Sequence, residues 1–190
     1  MKRILLLLLL VLFLAGCVKS FEGKLDSSFD DINVNDIYES FDKAFRYVHY
    51  NFYYSTPHHD LDPDYEQLDE NYGCKSKNYK SLKEFKDHMI NDYNLTDDFA
   101  QRLIDRYYPN YLYEKEDSLY VVIADRGSNT SVGERISKEL IRESDNKIIL
   151  RSTYESIDIN TGKVDGSFDV DSILIHIDDK WLWDEIPKVY

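Results

Sequence analysis

Residues 146–186 read "NKIILRSTYESIDINTGKVDGSFDVDSILIHIDDKWLWDEI". Three runs rich in β-branched and aromatic residues, "NKIILRSTYESID", "VDGSFDVDSILIHID" and "KWLWDEI", are separated only by "NTGK" and "DDK". Such runs, bounded by Asn, Asp and Gly, are strands joined by tight turns. The neighbours must be antiparallel, because a parallel pair needs a crossover of a dozen or more residues. Upstream, "ERISKELIRES" leads through "DN" into the first run, and "NYLYEKEDSLYVVIAD" reads as a strand, a turn and a strand. The expectation is an antiparallel meander of five or six strands.

The pattern changes before residue 110. Val34, Ile37, Tyr38, Phe41, Ala44, Phe45, Val48 and Phe52 recur at threes and fours, which predicts one helix of about five turns with a wide apolar stripe. "SLKE" at residues 81–84 is a capping box that starts a second helix, with Leu82, Phe85, Met89 and Tyr93 on one face. Thr96 can cap a third, with Asp97 and Asp98 against its dipole, and Pro109 stops it. Helices first and strands afterwards define an α+β domain, N-terminal helices packed on a curved antiparallel sheet. Leu119, Val121, Ile149, Ile173, Ile175 and Trp181 are the expected core positions on the strands, subject to the face reversal that a one-residue slip produces. The gross shape resembles nuclear-transport-factor-like cones and cystatin-like grips.

Between the first two helices lies "STPHHDLDPDYEQLDENYGCKSKNY", read as a polar loop punctuated by Pro57, Pro63 and Gly73. Its acids alternate as in a calcium loop, but Tyr65 replaces the turn glycine and Asn71 stands where a bidentate Glu is needed. The stretch from His58 to Asp64 is therefore expected to be a solvated acidic loop, with no metal or other cofactor. Cys74, with His59 or His88 as base, lacks the flanking pattern of a cysteine peptidase and is expected to be inert. No nucleophile elbow, phosphate-binding glycine loop or metalloprotease motif occurs, so the chain does not read as an enzyme. The 16 tyrosines and nine phenylalanines suit recognition surfaces, where tyrosine brings large area and a polar tip, but "FRYVHYNFYY" and "RYYPNYLY" also fit core-edge positions of helix and strand, the favoured reading.

"DRGSNTSVGE", residues 125–134, is long for a hairpin connection, and long loops in compact domains often bind partners. Asp125, Arg126, Gly127 and Asn129 are its candidate contact residues. Gly127 and Gly133 would let a partner's backbone approach closely.

The chain opens "MKRILLLLLLVLFLAGCVKS". Lys2 and Arg3 precede an apolar run from Ile4 to Ala15, too short for the ~20 residues of a spanning helix and suited to a signal-peptide core. Leu14, Ala15, Gly16 and Cys17 resemble the lipobox of bacterial lipoproteins, in which the cysteine receives a diacylglyceryl group and the chain is cut before it. This implies a signal peptide at 1–16, a tether at 17–32 and one α+β domain at 33–190, held by its lipid on the extracellular face of the cell membrane. Two acyl chains anchor stably where one is marginal. Cleavage removes Lys2 and Arg3 and shifts the net charge from −13 to −15. That field repels nucleic acid, whose binding depends on neutralising phosphates, and favours a basic partner.

"YKSLKEFKDHMINDYNLTDDFAQRLI", "LYVVIADRG", "DNKIILRSTYESIDINTGKV" and "DDKWLWDEI" together resemble the IseA family, the D,L-endopeptidase inhibitors of Gram-positive bacteria. The likeness runs over about residues 79–186: a capped helix pair, an "LY" strand leading to an Asp and Gly loop, and a closing Trp strand. It implies a monomeric extracellular protein that binds peptidoglycan-cleaving cysteine peptidases and occludes their clefts, with the loop around Asp125, Arg126 and Gly127 at the contact. The family members are secreted with an ordinary signal, whereas Cys17 would tether this chain. The competing reading is a lipoprotein that encloses a small ligand or wall fragment in a pocket between helices and sheet.

Overall fold

The computed structural model describes residues 29, 32–124 and 132–189. Val34–Tyr190 forms one compact unit. Its fold is α+β, with the helices first, but the strands build two antiparallel sheets of four, not a single meander of five or six. The first sheet has the order β1-β2-β4-β3, from β1 (Pro63–Leu68), β2 (Cys74–Ser76), β3 (Leu112–Lys115) and β4 (Ser118–Val121). The second is a consecutive meander of β5 (Val132–Ser144), β6 (Lys147–Asp158), β7 (Lys163–Ile177) and β8 (Lys180–Glu185).

The correction arises in the segment taken for a polar loop. His58–Leu61 is a short helix, α2, and β1 and β2 follow it as a hairpin. No alternation announces β1, because Tyr65, Glu66 and Leu68 all face solvent and its pairing slips between Asp64 and Leu68. β2 then pairs with β4 through Cys74↔Val121 and Lys75↔Tyr120, which draws the β3–β4 hairpin into this sheet. The turns follow their sequences more closely. Glu116 and Asp117, and again Asp178 and Asp179, take positive φ at both central positions, the geometry that matches strand twist in two-residue hairpins.

The first helix, α1 (Val34–Val48), runs into a π-helical turn, His49–Tyr53, where a single α-helix was expected. Tyr54 N–H donates to His49 O at 3.0 Å, an i→i+5 bond that inserts one extra residue into the turn. The wider winding buries His49, Asn51, Phe52 and Tyr53 and leaves Tyr50 outside. α3 (Leu82–Tyr93) and α4 (Asp97–Asp105) start where the sequence indicates. Ser81 Oγ accepts from Glu84 N at 3.1 Å, and the Glu84 carboxylate reaches back to Lys80 N at 2.8 Å. Thr96 Oγ1 accepts from Phe99 N and donates to Asp184 on β8 at 2.9 Å. Trp183 N to Asn94 O and Thr96 N to Trp183 O then pair the α3–α4 junction with the outer edge of β8.

The core lies between α1 and the second sheet and continues among the π turn, α3 and α4. Phe41 meets the Trp183 ring at 5.3 Å, and Ser40 Oγ accepts from its indole N–H at 3.1 Å. Phe52 touches Phe85 and Tyr107, with centroids at 6.1 and 5.9 Å. Leu119 and Val121 are fully buried, as expected. Ile149, Ile173, Ile175 and Trp181 are only half-buried; Ile148, Leu150, Leu174 and Trp183 take the core face instead. On β6 and β7 the expected set is one residue out of phase, because "KIIL" and "SILI" are apolar on both faces and alternation cannot choose between them; on β8 Trp181 and Trp183 share a face, and Trp183, bonded to the α3–α4 junction, is the one buried.

Candidate functional site

Cys17 and the loop residues Asp125, Arg126, Gly127 and Asn129 lie outside the described residues. The neck of that loop is described. Val122 N–H donates to Tyr111 O at 2.9 Å, while Ala124 exchanges bonds with Thr56 through O···N at 3.0 Å and N···Oγ1 at 3.1 Å. Gly133 belongs to β5, and its missing side chain makes room for β6 and not for a partner. A Cβ there would sit 2.7 Å from Glu155 Cβ and 3.2 Å from Ile157 Cδ1.

Cys74 is buried at the head of β2. Burial, with Asp64 and Asp69 nearby, pushes its thiol pKa above the usual value, the opposite of what a nucleophile requires. The histidines near it in sequence are engaged elsewhere, and His88 lies between Asp60 and Asp92. His58 Nδ1 lies 3.1 Å from Thr56 Oγ1, and His59 stacks on Tyr50 at 4.3 Å. The residues of "HHDLDPD" therefore diverge between a buried helix and an edge strand. Among the described residues no group of three His, Cys, Asp or Glu side chains is placed to hold a metal ion.

Asp60 gathers a second cluster that the sequence reading missed. Its carboxylate accepts from Tyr47 Oη at 2.7 Å and Tyr79 Oη at 3.4 Å, and lies 3.5 Å from His88 Nε2. His88 Nδ1 in turn meets Asp92 at 2.5 Å, and Tyr47 stacks on Tyr93 at 3.7 Å. Burial, reinforced by the Asp60 charge, raises the Tyr47 pKa well above its ordinary value, so this phenol is a fixed donor. The cluster ties α2 to α1 and α3. Its acid and Tyr79 come from the supposed loop and its other rings from two helices, so no local motif could disclose it.

An open depression of about 900 Å³ runs along α1 and the π turn beside this cluster, lined by Arg46, Tyr47, His49, Tyr50, Asn51 and Tyr93 among others. Most of its rings are already engaged: Phe45 stacks on His49 at 3.9 Å and Tyr47 on Tyr93. Asn51 donates to Tyr47 O at 3.1 Å, while its buried Oδ1 has no hydrogen-bond partner.

Three large apolar groups stand exposed on the β1–β2 hairpin. Tyr65, Leu68 and Tyr72 are 64%, 57% and 77% exposed. The tip is locked by Asp69, whose Oδ1 accepts from Asn71 N and Gly73 N, both at 2.9 Å. Burial acts to raise the Asp69 pKa, but Tyr113, these two amides and Lys115 outweigh it and hold the carboxyl low. Lys115 bonds Glu70 at 3.1 Å and so fastens the tip to β3. Gly73 is required by this packing, since a Cβ would fall 2.0 Å from Tyr113 Oη and 2.8 Å from its ring. Gly73→Ala is expected to lower stability by about 1–3 kcal/mol through overpacking, read as a lower urea midpoint with unchanged slope.

No protein-family model matches the chain, and no curated protein or solved structure matches it either.

Proposed function

We propose that the protein is a lipid-anchored extracellular binding protein that restrains peptidoglycan D,L-endopeptidases by occluding their clefts. The observation that carries this reading is the filled interior. Trp183, Phe41, Phe52, Phe85, Tyr107 and Leu119 pack at or near zero exposure between the helices and sheets, where an enclosed ligand would otherwise sit. Recognition then falls to the outer surface, where large apolar side chains remain exposed. The buried, pKa-raised thiol of Cys74 agrees with action by binding and not by covalent chemistry. The resemblance of residues 79–186 to IseA inhibitors supplies the class of target, and the lipobox supplies the location.

Purified full-length protein in detergent is expected to inhibit cleavage of peptidoglycan stem peptides by a cell-wall D,L-endopeptidase. With a mature net charge of −15, association with a basic enzyme is steered by long-range attraction and weakens as the screening length falls from about 30 Å at 0.01 M salt to 8 Å at 0.15 M. The association rate should drop at least tenfold across that range; a salt-independent rate would remove the steering component.

A second reading keeps the α1 depression as a site for a soluble wall fragment. Its favouring observation is the volume of about 900 Å³, within the range of small-molecule sites, next to the unpaired Asn51 acceptor. A rise in melting temperature with soluble peptidoglycan fragments, abolished by Tyr50→Ser, would favour it.

A further inference from the structure

We infer that the β1–β2 hairpin is the surface that grips the partner, with Tyr65, Leu68 and Tyr72 as anchors for apolar holes in a basic protein cleft. The inference rests on the inhibitor reading above and names the element that does the blocking.

The exposed side chains carry the argument. Three large apolar groups fall within eight residues of one hairpin, each more than half exposed. Neither Tyr65 nor Tyr72 makes a ring contact within the described fold, in contrast to the rings along α1. Tyrosine is enriched among the residues that dominate binding energy, because it brings large area with few rotatable bonds.

Rigidity is the second requirement for an anchor, since ordering a loose loop on binding costs affinity. The hairpin meets it independently of its exposed face. Asp69 N–H donates to Gly73 O at 3.0 Å and Tyr72 N–H to Asp69 O at 3.1 Å, and the base is pinned by Lys77 N–H on Leu61 O and Asp62 O, both at 3.2 Å. Ser76 Oγ donates to Leu61 O at 2.8 Å on the buried side. The turn that carries Tyr72 and the base of the hairpin are therefore fixed, with Leu68 paired to Cys74 and Tyr65 in the stretch where the register shifts.

Charge selects the partner. Residues 62–73 contain Asp62, Asp64, Glu66, Asp69 and Glu70 and no basic residue. Asp69 is buried in the turn and Glu70 is paired with Lys115, but Asp64 and Glu66 beside Tyr65 disfavour an anionic surface and suit a cleft bordered by Lys and Arg. β1 is also an edge strand, and its carboxylates discourage unspecific strand pairing there.

The test uses the full-length protein in detergent with a purified cell-wall D,L-endopeptidase and a stem-peptide cleavage assay. Tyr65→Ser with Tyr72→Ser should weaken inhibition about 30-fold, the loss that marks an energetically dominant contact. Ile159→Ser, 70% exposed in the β6–β7 turn, serves as the reference and should change it less than twofold. All these side chains are exposed, so melting temperatures should be unchanged, which separates lost binding from lost folding. Inhibition by the unaltered protein that survives the double substitution within twofold overturns this inference and leaves the inhibitor reading standing. No inhibition by the unaltered protein overturns both. Asp64→Asn with Glu66→Gln should slow association and flatten its salt dependence; an unchanged rate overturns the choice of a basic partner.

Discussion

Trp183→Ala is expected to destabilise the domain by about 3–5 kcal/mol, the cost of emptying a buried aromatic site. Trp183 has no exposed surface. It meets Phe41 of α1 at 5.3 Å, and its indole N–H is satisfied by Ser40 Oγ. Its backbone holds the α3–α4 junction through Asn94 O and Thr96 N, so relaxation around the void is resisted from three elements. Typical domains have only about 5–15 kcal/mol of stability in total, so the loss takes away a large fraction. Equilibrium urea unfolding should show the shift, whereas Trp181→Ala, at the half-buried neighbouring position, should cost far less. Equal losses at both positions would mean that Trp183 is not the buried anchor of β8.

Acidification should weaken the fold between pH 6.5 and about 4, through His49. Burial, the largest influence, depresses its pKa from 6.5 to about 4; Lys188 acts in the same direction, and the contact with Pro187 O opposes both. Nε2 lies 3.0 Å from that carbonyl and the ring stacks on Phe45, so the neutral Nε2–H form fits the site. In the unfolded chain the ring protonates near pH 6.5, so the unfolded state binds more protons throughout the window and stability rises with pH there. The contribution is fully present above pH 6.5 and is lost as pH falls towards 4. A difference of that size corresponds to ~3 kcal/mol at 1.36 kcal/mol per pH unit. Unfolding free energies at pH 7, 5.5 and 4 should trace the decline, and His49→Gln should flatten it. The depressed carboxyls act at lower pH. Asp42 is held low by Arg135 and Lys138 against the opposing effect of burial, and Asp171 is held low chiefly by Arg151. Each loses its contribution only as pH falls through its own folded pKa, below the usual carboxylate value near 3.8.

For the candidate site, sequence reading pointed at the loop after β4, because length and glycine content are visible along the chain. It passed over the β1–β2 hairpin, because Tyr65, Leu68 and Tyr72 carry no alternation and sit among acids that resemble a solvated loop. The nearest signal was the local one in "LDENYG", where an Asp two and four residues before Asn71 and Gly73 marks a turn closed by its own side chain. That signal indicates a rigid turn but does not say which side chains it will display.

By itself the sequence determined the α+β order, the caps at Ser81 and Thr96, the β5–β8 meander and the tight turns between its strands. These depend on neighbours within a few residues: hydrogen bonds from a capping oxygen, alternation along a strand, and the φ preferences of Asn, Asp and Gly. Only the tertiary structure decided that β1 and β2 exist, that β4 leaves the meander to pair with β2, that helix α1 ends in a π turn, and that Ile148 and Trp183 outrank Ile149 and Trp181 for the core. In each of these the local chain is nearly indifferent: both faces are apolar, neither is, or, as with Trp181 and Trp183, two like residues share one face. The outcome is then fixed by which partner surface, distant in sequence, is present to exclude water from it.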